Sequence, residues 1–510
     1  MSDTPAEVPN RGLITASIML ATVMNSLDTT IANVALPHMA GSVSASEDQI
    51  TWVLTSYIVA SAILTPMTGW LAGRFGRKSV FMVSIIGFTL ASALCGAATS
   101  LGQIVLFRLL QGAFGAALVP LSQAVLMDVY PPEQQGPAMA IWGMGALLGP
   151  IVGPALGGWL TDAFSWRWVF YINVPLGALA AAGVFSFIHG HRAPEKTPFD
   201  FTGFILLSIT LASFQLFLDR GPDKAWLESP EIWIEMTTAG VALVLFIFHT
   251  MTADRPFLPI ALIKDRNFAT ATMLGFFVGV MMFATLALLP PMLETLMGYP
   301  VVTTGLVTMP RGVGSLLSMF FVGRLINRVD ARVMVGIGLV LSSVALLGMS
   351  QFDLAMDGRL VITMGLLQGV GIGLVFVPLT TLGFATLDNR YRADGAGVFT
   401  LMRNLGASVG ISIMQALLTS NTQIVHARLV QGVRPDNPNF PGGATQAAMT
   451  LAHPASLAAL DGEINRQSGM VAYIDNFRLM FFLGMLILPF LFFMRPPNRN
   501  SGGPGHIAME

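Results

Sequence analysis

Leu109-Leu110-Gln111-Gly112 recurs as Leu366-Leu367-Gln368-Gly369, an offset of 257 residues (366 − 109 = 257). At the same offset Leu148-Gly149 with Gly153 recurs as Leu405-Gly406 with Gly410. Gly69-Trp70-Leu71-Ala72-Gly73-Arg74 returns as Gly323-Arg324-Leu325-Ile326-Asn327-Arg328 at 254 (323 − 69 = 254). Each match alone is weak. Three in one order at nearly one offset point to two similar halves in the same orientation. Parallel halves of this kind build transporters whose substrate site lies between the halves near the bilayer midplane.

The surroundings of these segments are apolar. Of 510 residues 54% are hydrophobic and only 11% charged, with mean hydropathy +0.68; a soluble surface needs about a quarter charged. The apolar residues fall in blocks of about twenty, the length that crosses a bilayer. Fourteen spans are expected, near 13–35, 50–71, 79–98, 102–124, 137–159, 169–188, 200–218, 232–251, 268–293, 303–324, 332–350, 359–380, 394–418 and 473–494. The fold class is therefore all-α integral membrane, two parallel six-helix halves with spans seven and eight inserted between them. Glu231 and Glu235 at the mouth of span eight leave a surface helix open as its other reading. The block from Leu13 to Leu36 follows no basic n-region and is too long for a cleaved signal, so it is read as a retained first span. The chain then divides into an N-terminal tail (1–12), a six-helix bundle (13–190), the inserted pair with its linkers (191–262), a second bundle (263–494) and a C-terminal tail (495–510). A polar loop, 419–472, interrupts the second bundle.

Basic residues set the orientation. Arg74, Arg77 and Lys78 after span two, Arg192 and Lys196 after span six, and Arg324, Arg328 and Arg332 after span ten all fall on the side of the N-terminus. Outer segments hold fewer, and three of theirs, Arg428, Arg434 and Arg466, lie in the one long loop. Both termini are expected to be cytoplasmic. Net charge −1 gives no reason to expect nucleic acid. The single cysteine, Cys95, excludes disulfides and cysteine metal clusters within the chain. No phosphate-cradling Gly-Lys-Ser/Thr loop is present, since Lys78-Ser79 follows Arg77. His38, His189, His191, His249, His426, His453 and His506 are scattered without a carboxylate cluster, so neither an enzyme nor a metal site is expected.

Charges inside hydrocarbon carry the chemistry, because a central Arg or Asp costs roughly 2.5–3.5 kcal/mol and is seldom unpaired. Asp28 lies eight residues before Leu36 at the outer end of span one, about 12 Å deep at about 1.5 Å per residue. Arg108 lies seven residues after Leu101 at the outer start of span four, about 10 Å deep. At matching depth the two can pair. A carboxylate that gains and loses such a partner between two access states would couple protons; the other reading is a permanent ion pair tying two helices. Arg311 and Arg403 would make a cavity basic, favouring neutral or weakly acidic lipophilic solutes; alternatively each snorkels or caps carbonyls. Asn33, Gln111, Gln368 and Glu294 complete the polar cavity candidates, Glu294 and Asp128 being close to span ends. Met281, Met282, Phe276, Phe277, Phe283, Met319, Phe320 and Phe376 suit an adaptable pocket or, equally, ordinary packing. In span five, Gly145, Gly149, Gly153 and Gly157 stand four apart, which lets another helix approach to near backbone contact.

Five segments together bear a resemblance: Leu27 to Pro37, Gly69 to Lys78, Arg108 to Gly115, Gly149 to Gly158, and Trp166 to Pro175. They resemble the major facilitator superfamily and, within it, the fourteen-span drug:proton antiporters of the EmrB/QacA type, over nearly the whole chain. The resemblance implies a bacterial inner-membrane exporter of lipophilic drugs driven by the proton gradient without a cofactor. It also implies a periplasmic adaptor and an outer-membrane channel as partners, beside membrane lipid. It assigns proton coupling to Asp28 and Arg108, an antiporter motif to Gly149, Pro150, Gly153, Pro154, Gly157 and Gly158, and a gating loop to Gly69, Arg74, Gly76 and Arg77. Arg74, Arg77 and Lys78 read equally as topology anchors. One departure stands out: the family has Asp where this chain has Gly73, so the acidic partner of the loop is missing. The stretch around Arg434 to Gly443 suits adaptor docking or a disordered tether with a short helix near 455–466. The rival readings are a proton-coupled uptake symporter and an exporter of one metabolite.

Overall fold

The computed structural model describes residues 10–188, 198–433 except 223, 225 and 327, and 454–495. The expectations for tail residues 1–9 and 496–510, for His189, His191, Arg192 and Lys196, and for Arg434 to Gly443 lie outside the described residues. Helices account for the architecture: α1 Arg11–Val43, α2 Trp52–Phe75, α3 Arg77–Ala97, α4 Leu101–Val129, α5 Gln134–Ala163, α6 Trp168–Phe187, α7 Phe201–Arg220 and α8 Pro230–Thr252. There follow α9 Arg266–Leu296, α10 Val302–Leu325, α11 Ala331–Met349, α12 Gly358–Ala385, α13 Arg392–Gln431 and α14 Pro454–Phe493. Among the described residues thirteen helices, α2 to α14, are long and apolar enough to cross a membrane, α8 included. The helix left out is α1, whose apolar run is broken by Asn25, Ser26, Asp28, Thr29, Thr30 and Asn33. Asn25, Ser26, Asp28 and Thr30 are taken up by α2, α4, α5 and α6, while Thr29 and Asn33 are exposed.

Two helices enter the stretch expected as a loop at 419–472: α13 continues to Gln431, and α14 begins at Pro454. The expected short helix near 455–466 is the first part of α14. Hydropathy marks where a chain leaves hydrocarbon, whereas a helix satisfies its own backbone wherever it is and need not stop there. The two extensions touch through His426 Nε2 and Asp461 Oδ1 at 3.1 Å.

Within the first half α1 packs along α5 and α6, and α4 against α2 and α3; within the second, α12 packs along α10 and α11, and α9 along α13. The halves meet along α5–α10 and where the start of α13 reaches α2 and α4. Gly136 faces Ile326, Gly323 faces Ala140, Gly143 faces Met319, and Gly397 faces the Thr65 carbonyl. All these positions lie in the halves of their helices nearest the face that carries the chain ends. That face is closed.

The inserted pair α7–α8 packs on α2, with Leu207, Leu211 and Phe246 against Leu401 of α13. Asp200, just before α7, ties it down: Oδ1 accepts from Gly203 N at 2.9 Å and from His249 Nε2 of α8 at 2.9 Å, and Oδ2 accepts from Phe257 N at 2.9 Å. Phe199 stacks between Trp70 of α2 (4.5 Å) and Phe257 (5.8 Å). Burial pushes the Asp200 carboxyl up, but the Gly203, His249 and Phe257 hydrogen bonds outweigh it and hold the group below the usual carboxylate range. With the folded value depressed, the tether's contribution is complete above that range and is lost as pH falls below it. Asp200→Ala should cost about 1–3 kcal/mol in docking of the pair, seen as faster amide exchange in α7 and α8 at neutral pH; an unchanged exchange pattern would contradict this.

Candidate functional site

Arg108 and Gln111 are three residues apart on α4 and so share a face. That face meets Asp28 of α1. Asp28 is 0% and Arg108 1% exposed. Asp28 Oδ2 accepts from Arg108 Nη1 at 2.6 Å, and Oδ1 accepts from Gln111 Nε2 at 2.8 Å and from Asn173 Nδ2 of α6 at 2.9 Å. The guanidinium is held from its other sides: Nε donates to the Val53 carbonyl of α2 at 3.0 Å, Nη1 donates to Gln111 Oε1 at 2.9 Å, and the Tyr57 ring lies 4.2 Å beneath Cζ. Behind Asn173, its Nδ2 also donates to Ser92 Oγ of α3 (3.0 Å), which donates to the Phe170 carbonyl (2.9 Å). Tyr57 Oη donates to Asn25 Oδ1 at 3.0 Å. A buried charge pair is tolerable only when its remaining hydrogen-bonding capacity is filled, and five helices fill it here. The pairing expected from depth is present. Gln111, counted with the cavity candidates, belongs to this sealed network instead. Asn173, Ser92 and Tyr57 were not foreseen as members; Asn173 lay inside a quoted segment, but only the register of α6 on α1 shows what it meets.

The repeat offset carries the geometry into the second half. Thr285 stands 257 residues after Asp28 (285 − 28 = 257), and Gln368 Nε2 donates to Thr285 Oγ1 at 3.1 Å as Gln111 does to Asp28. Arg108 is matched by Gly365 (365 − 108 = 257). Beside Gln368 a small cavity between Met281, Met282, Ser342 and Ile372 has room for about one water. Gln368 Oε1 and Ser342 Oγ, both buried, have no protein partner there. The second half thus repeats the arrangement without its ionisable groups.

Arg311 of α10 donates Nη2 to the Met282 carbonyl of α9 at 2.7 Å. Arg403 lies over Phe376 of α12 (5.5 Å), which stacks on Trp142 of α5 (6.0 Å, 11°), so a cation and two rings bridge the halves. Asn33 is exposed on α1 and Glu294 half-buried at the end of α9; neither joins the Asp28 network.

The glycine row of α5 lies on α1. Cβ atoms at Gly149, Gly153 and Gly157 would meet Ser26, Thr30 and Ile31 respectively, whereas at Gly158 the nearest atom is Val34 Cγ1 at 3.9 Å. Pro150 has no N–H for the carbonyl four residues back. That carbonyl, of Ala146, accepts instead from Ser26 Oγ of α1 at 2.5 Å, and Thr30 Oγ1 donates to the Gly149 carbonyl at 3.1 Å. Pro154, four residues on from Pro150, is exposed and lies off the glycine row.

At the loop expected to gate, α2 and α3 are joined through Gly76 alone, whose φ of +84° suits glycine. Arg77 pairs with Asp128 of α4, and Arg74 lies 5.7 Å over Trp70. Gly73 faces open space, while the carboxylate of Asp394, at the start of α13, occupies the place a Cβ on Gly69 would take. The acid missing at Gly73 is thus supplied from two other helices, one of them in the opposite half. Gly69→Ala should work against the closed face by about 1–3 kcal/mol, at least about fivefold in population, read as faster thiol labelling of a cysteine placed at Thr65, buried Cys95 staying silent. Equal labelling would show that Asp394 moves aside freely.

Two bundles related by a repeat, closed on one face, with a buried ion pair inside one of them, have the build of a membrane carrier. Residues 18–411 match the model of the Major Facilitator Superfamily, and the chain belongs to that family. It is 33% identical over 504 residues to the multidrug export protein EmrB of Escherichia coli (strain K12), covering 98% of each chain. It is 34% identical over 498 residues to the fatty acid resistance protein FarB of Neisseria gonorrhoeae, covering 97% of each. The proton:xylose symporter XylE shares the fold, with TM-score 0.62 at 13% identity over 95% of this chain and 96% of that one.

Proposed function

We propose that this chain is a proton-driven antiporter that exports lipophilic toxic compounds, neutral or weakly acidic, from the bacterial cytoplasm by alternating access. It lies in the inner membrane with both termini cytoplasmic and hands its substrate to a periplasmic adaptor and an outer-membrane channel. The observation that carries this reading is the sealed Asp28–Arg108 pair with Gln111 and Asn173. Three donors, the Arg108 cation among them, stabilise the Asp28 carboxylate in this arrangement. Where Arg108 withdraws while the site is open to the periplasm, a lone carboxylate in hydrocarbon is too costly and takes a proton, which the returning Arg108 displaces once the site opens to the cytoplasm. A proton taken and released at one carboxylate in alternate states is what antiport needs.

The sign of the substrate follows from Arg311 and Arg403, which add basic groups near the seam. Multidrug export and fatty acid resistance in the names of two relatives suit the same lipophilic, partly acidic class. In inverted vesicles with an acid interior, neutral drugs and lipophilic weak acids should discharge the gradient and dications should not, a protein-free control removing uncoupling. Discharge by none of them, with folded protein, defeats the proposal, and an uptake symporter would deepen the gradient instead.

A further inference from the structure

Asp219 lies near the end of α7, in the seam where the inserted pair meets α2. Its Oδ1 accepts from Gln215 Nε2, one turn back, at 2.9 Å, and the Thr55 hydroxyl of α2 donates to the carboxylate. Its Oδ2 is sealed from solvent and has no hydrogen-bond partner. The adjacent cation does not help. Arg220 turns away to Glu235, at 2.5 Å, and to Glu231, which Lys224 also approaches at 3.8 Å. On α8 the nearby carboxylates are Glu231 and Glu235, both paired with Arg220 although Glu235 Oε2 is itself buried without a protein partner, and α2 presents the neutral Thr55. Where α13 reaches α7, further along, it contributes Leu401. A carboxylate with one oxygen bare in hydrocarbon and no cation beside it is far more comfortable as the acid, whose O–H is neutral.

The placement ties this group to the coupling site. A single turn of α2 presents Thr55 to Asp219 and, on its inner side, the Val53 carbonyl and the Tyr57 ring to Arg108. We propose that Asp219 is a second proton-binding carboxylate of this carrier, one that binds its proton at Oδ2 in the seam between the inserted pair and α2 and releases it when that seam hydrates. The inserted helices then supply a protonation site of their own, in addition to enclosing the bundle. The inference deepens the proton-coupled reading and rests on it for its purpose, but its test needs no transport.

The test is infrared difference spectroscopy of the purified full chain in nanodiscs, following the carboxyl C=O stretch as pH is varied through the neutral range. The wild type should show a pH-responsive band that is absent in Asp219→Asn and retained in Asp28→Asn. Asp219→Glu should keep a band at a displaced frequency, which shows that loss in the Asn variant is not loss of fold. A wild-type spectrum unchanged by Asp219→Asn overturns the proposal. So does an Asp219 band that persists at constant intensity at every pH, because a proton that never leaves is structural. Failure of substrate-driven discharge in vesicles with this band present would sink the antiport reading and leave Asp219 standing.

Discussion

Asp28→Asn abolishes substrate-driven proton release from acid-loaded inverted vesicles, while the variant still binds the substrates that discharge the wild type. Asparagine can accept from Arg108 through its oxygen, although its N–H2 then faces the Gln111 and Asn173 donors and Asn173 must turn its own oxygen inward, but it cannot take a proton when Arg108 withdraws. The remaining signal should fall to that of protein-free vesicles. Removing one member of a buried pair costs about 3–5 kcal/mol when the other is left bare. Here the Val53 carbonyl, the Gln111 amide and the Tyr57 ring still hold the guanidinium, so the loss for Asp28→Asn belongs at or below the low end. Arg108→Ala, which strands a carboxylate, belongs at the high end and should lower the melting temperature more. Discharge that survives in Asp28→Asn would make the pair a helix tie and send the search for the proton to Asp128, Glu294 or Asp219.

Gly149→Ala and Gly158→Ala make the second contrast. They stand nine residues apart on α5, Gly149 in the four-spaced row and Gly158 outside it, and the structure shows how much that difference weighs. A methyl at Gly149 runs into the backbone of Ser26, at the point where Ser26 Oγ has taken the Ala146 carbonyl. Backbone cannot rotate away, so the cost should exceed the roughly 1–3 kcal/mol of ordinary overpacking, with the yield of folded protein falling sharply. At Gly158 the nearest atom is 3.9 Å away, an ordinary van der Waals distance, and the melting temperature should hardly change. Similar loss in both variants would mean that the α1–α5 seam is not set by these contacts.

The pairing of Asp28 with Arg108 was legible because depth in a membrane can be counted in residues from a helix end. Gln111, the next position on the same face, was placed with the cavity candidates, because one sequence does not say that this face is sealed. Asn173 was not legible, since its role depends on how α6 is rotated against α1, and one sequence carries no measure of that rotation. The gate shows the same limit: the absence of an acid at Gly73 could be seen, but its replacement by Asp394 depends on α13 crossing α2 some three hundred residues later in the chain. Helix count was robust and helix ends were not. The polar reaches of α13 and α14 look like loop to a hydropathy reading because apolarity, and not hydrogen bonding, is what it detects. α1 shows the converse. Its composition is too polar for a lone span, yet neighbouring helices take up Asn25, Ser26, Asp28 and Thr30 near its centre.

The proline at 150 has a mechanical meaning. By exchanging a bond inside α5 for one to α1, it rivets the two helices together two residues from Asp28. The opposite flank of α5 bears on α10 of the other half, where Ile151 lies against Gly312. α5 is therefore a lever with the carboxylate's helix bolted to one side and the opposing bundle pushing on the other. Under the proposed alternating access, torque on α5 reaches α1 through the Ser26 bond, and a change of charge at Asp28 bears on the α5–α10 contact between the halves.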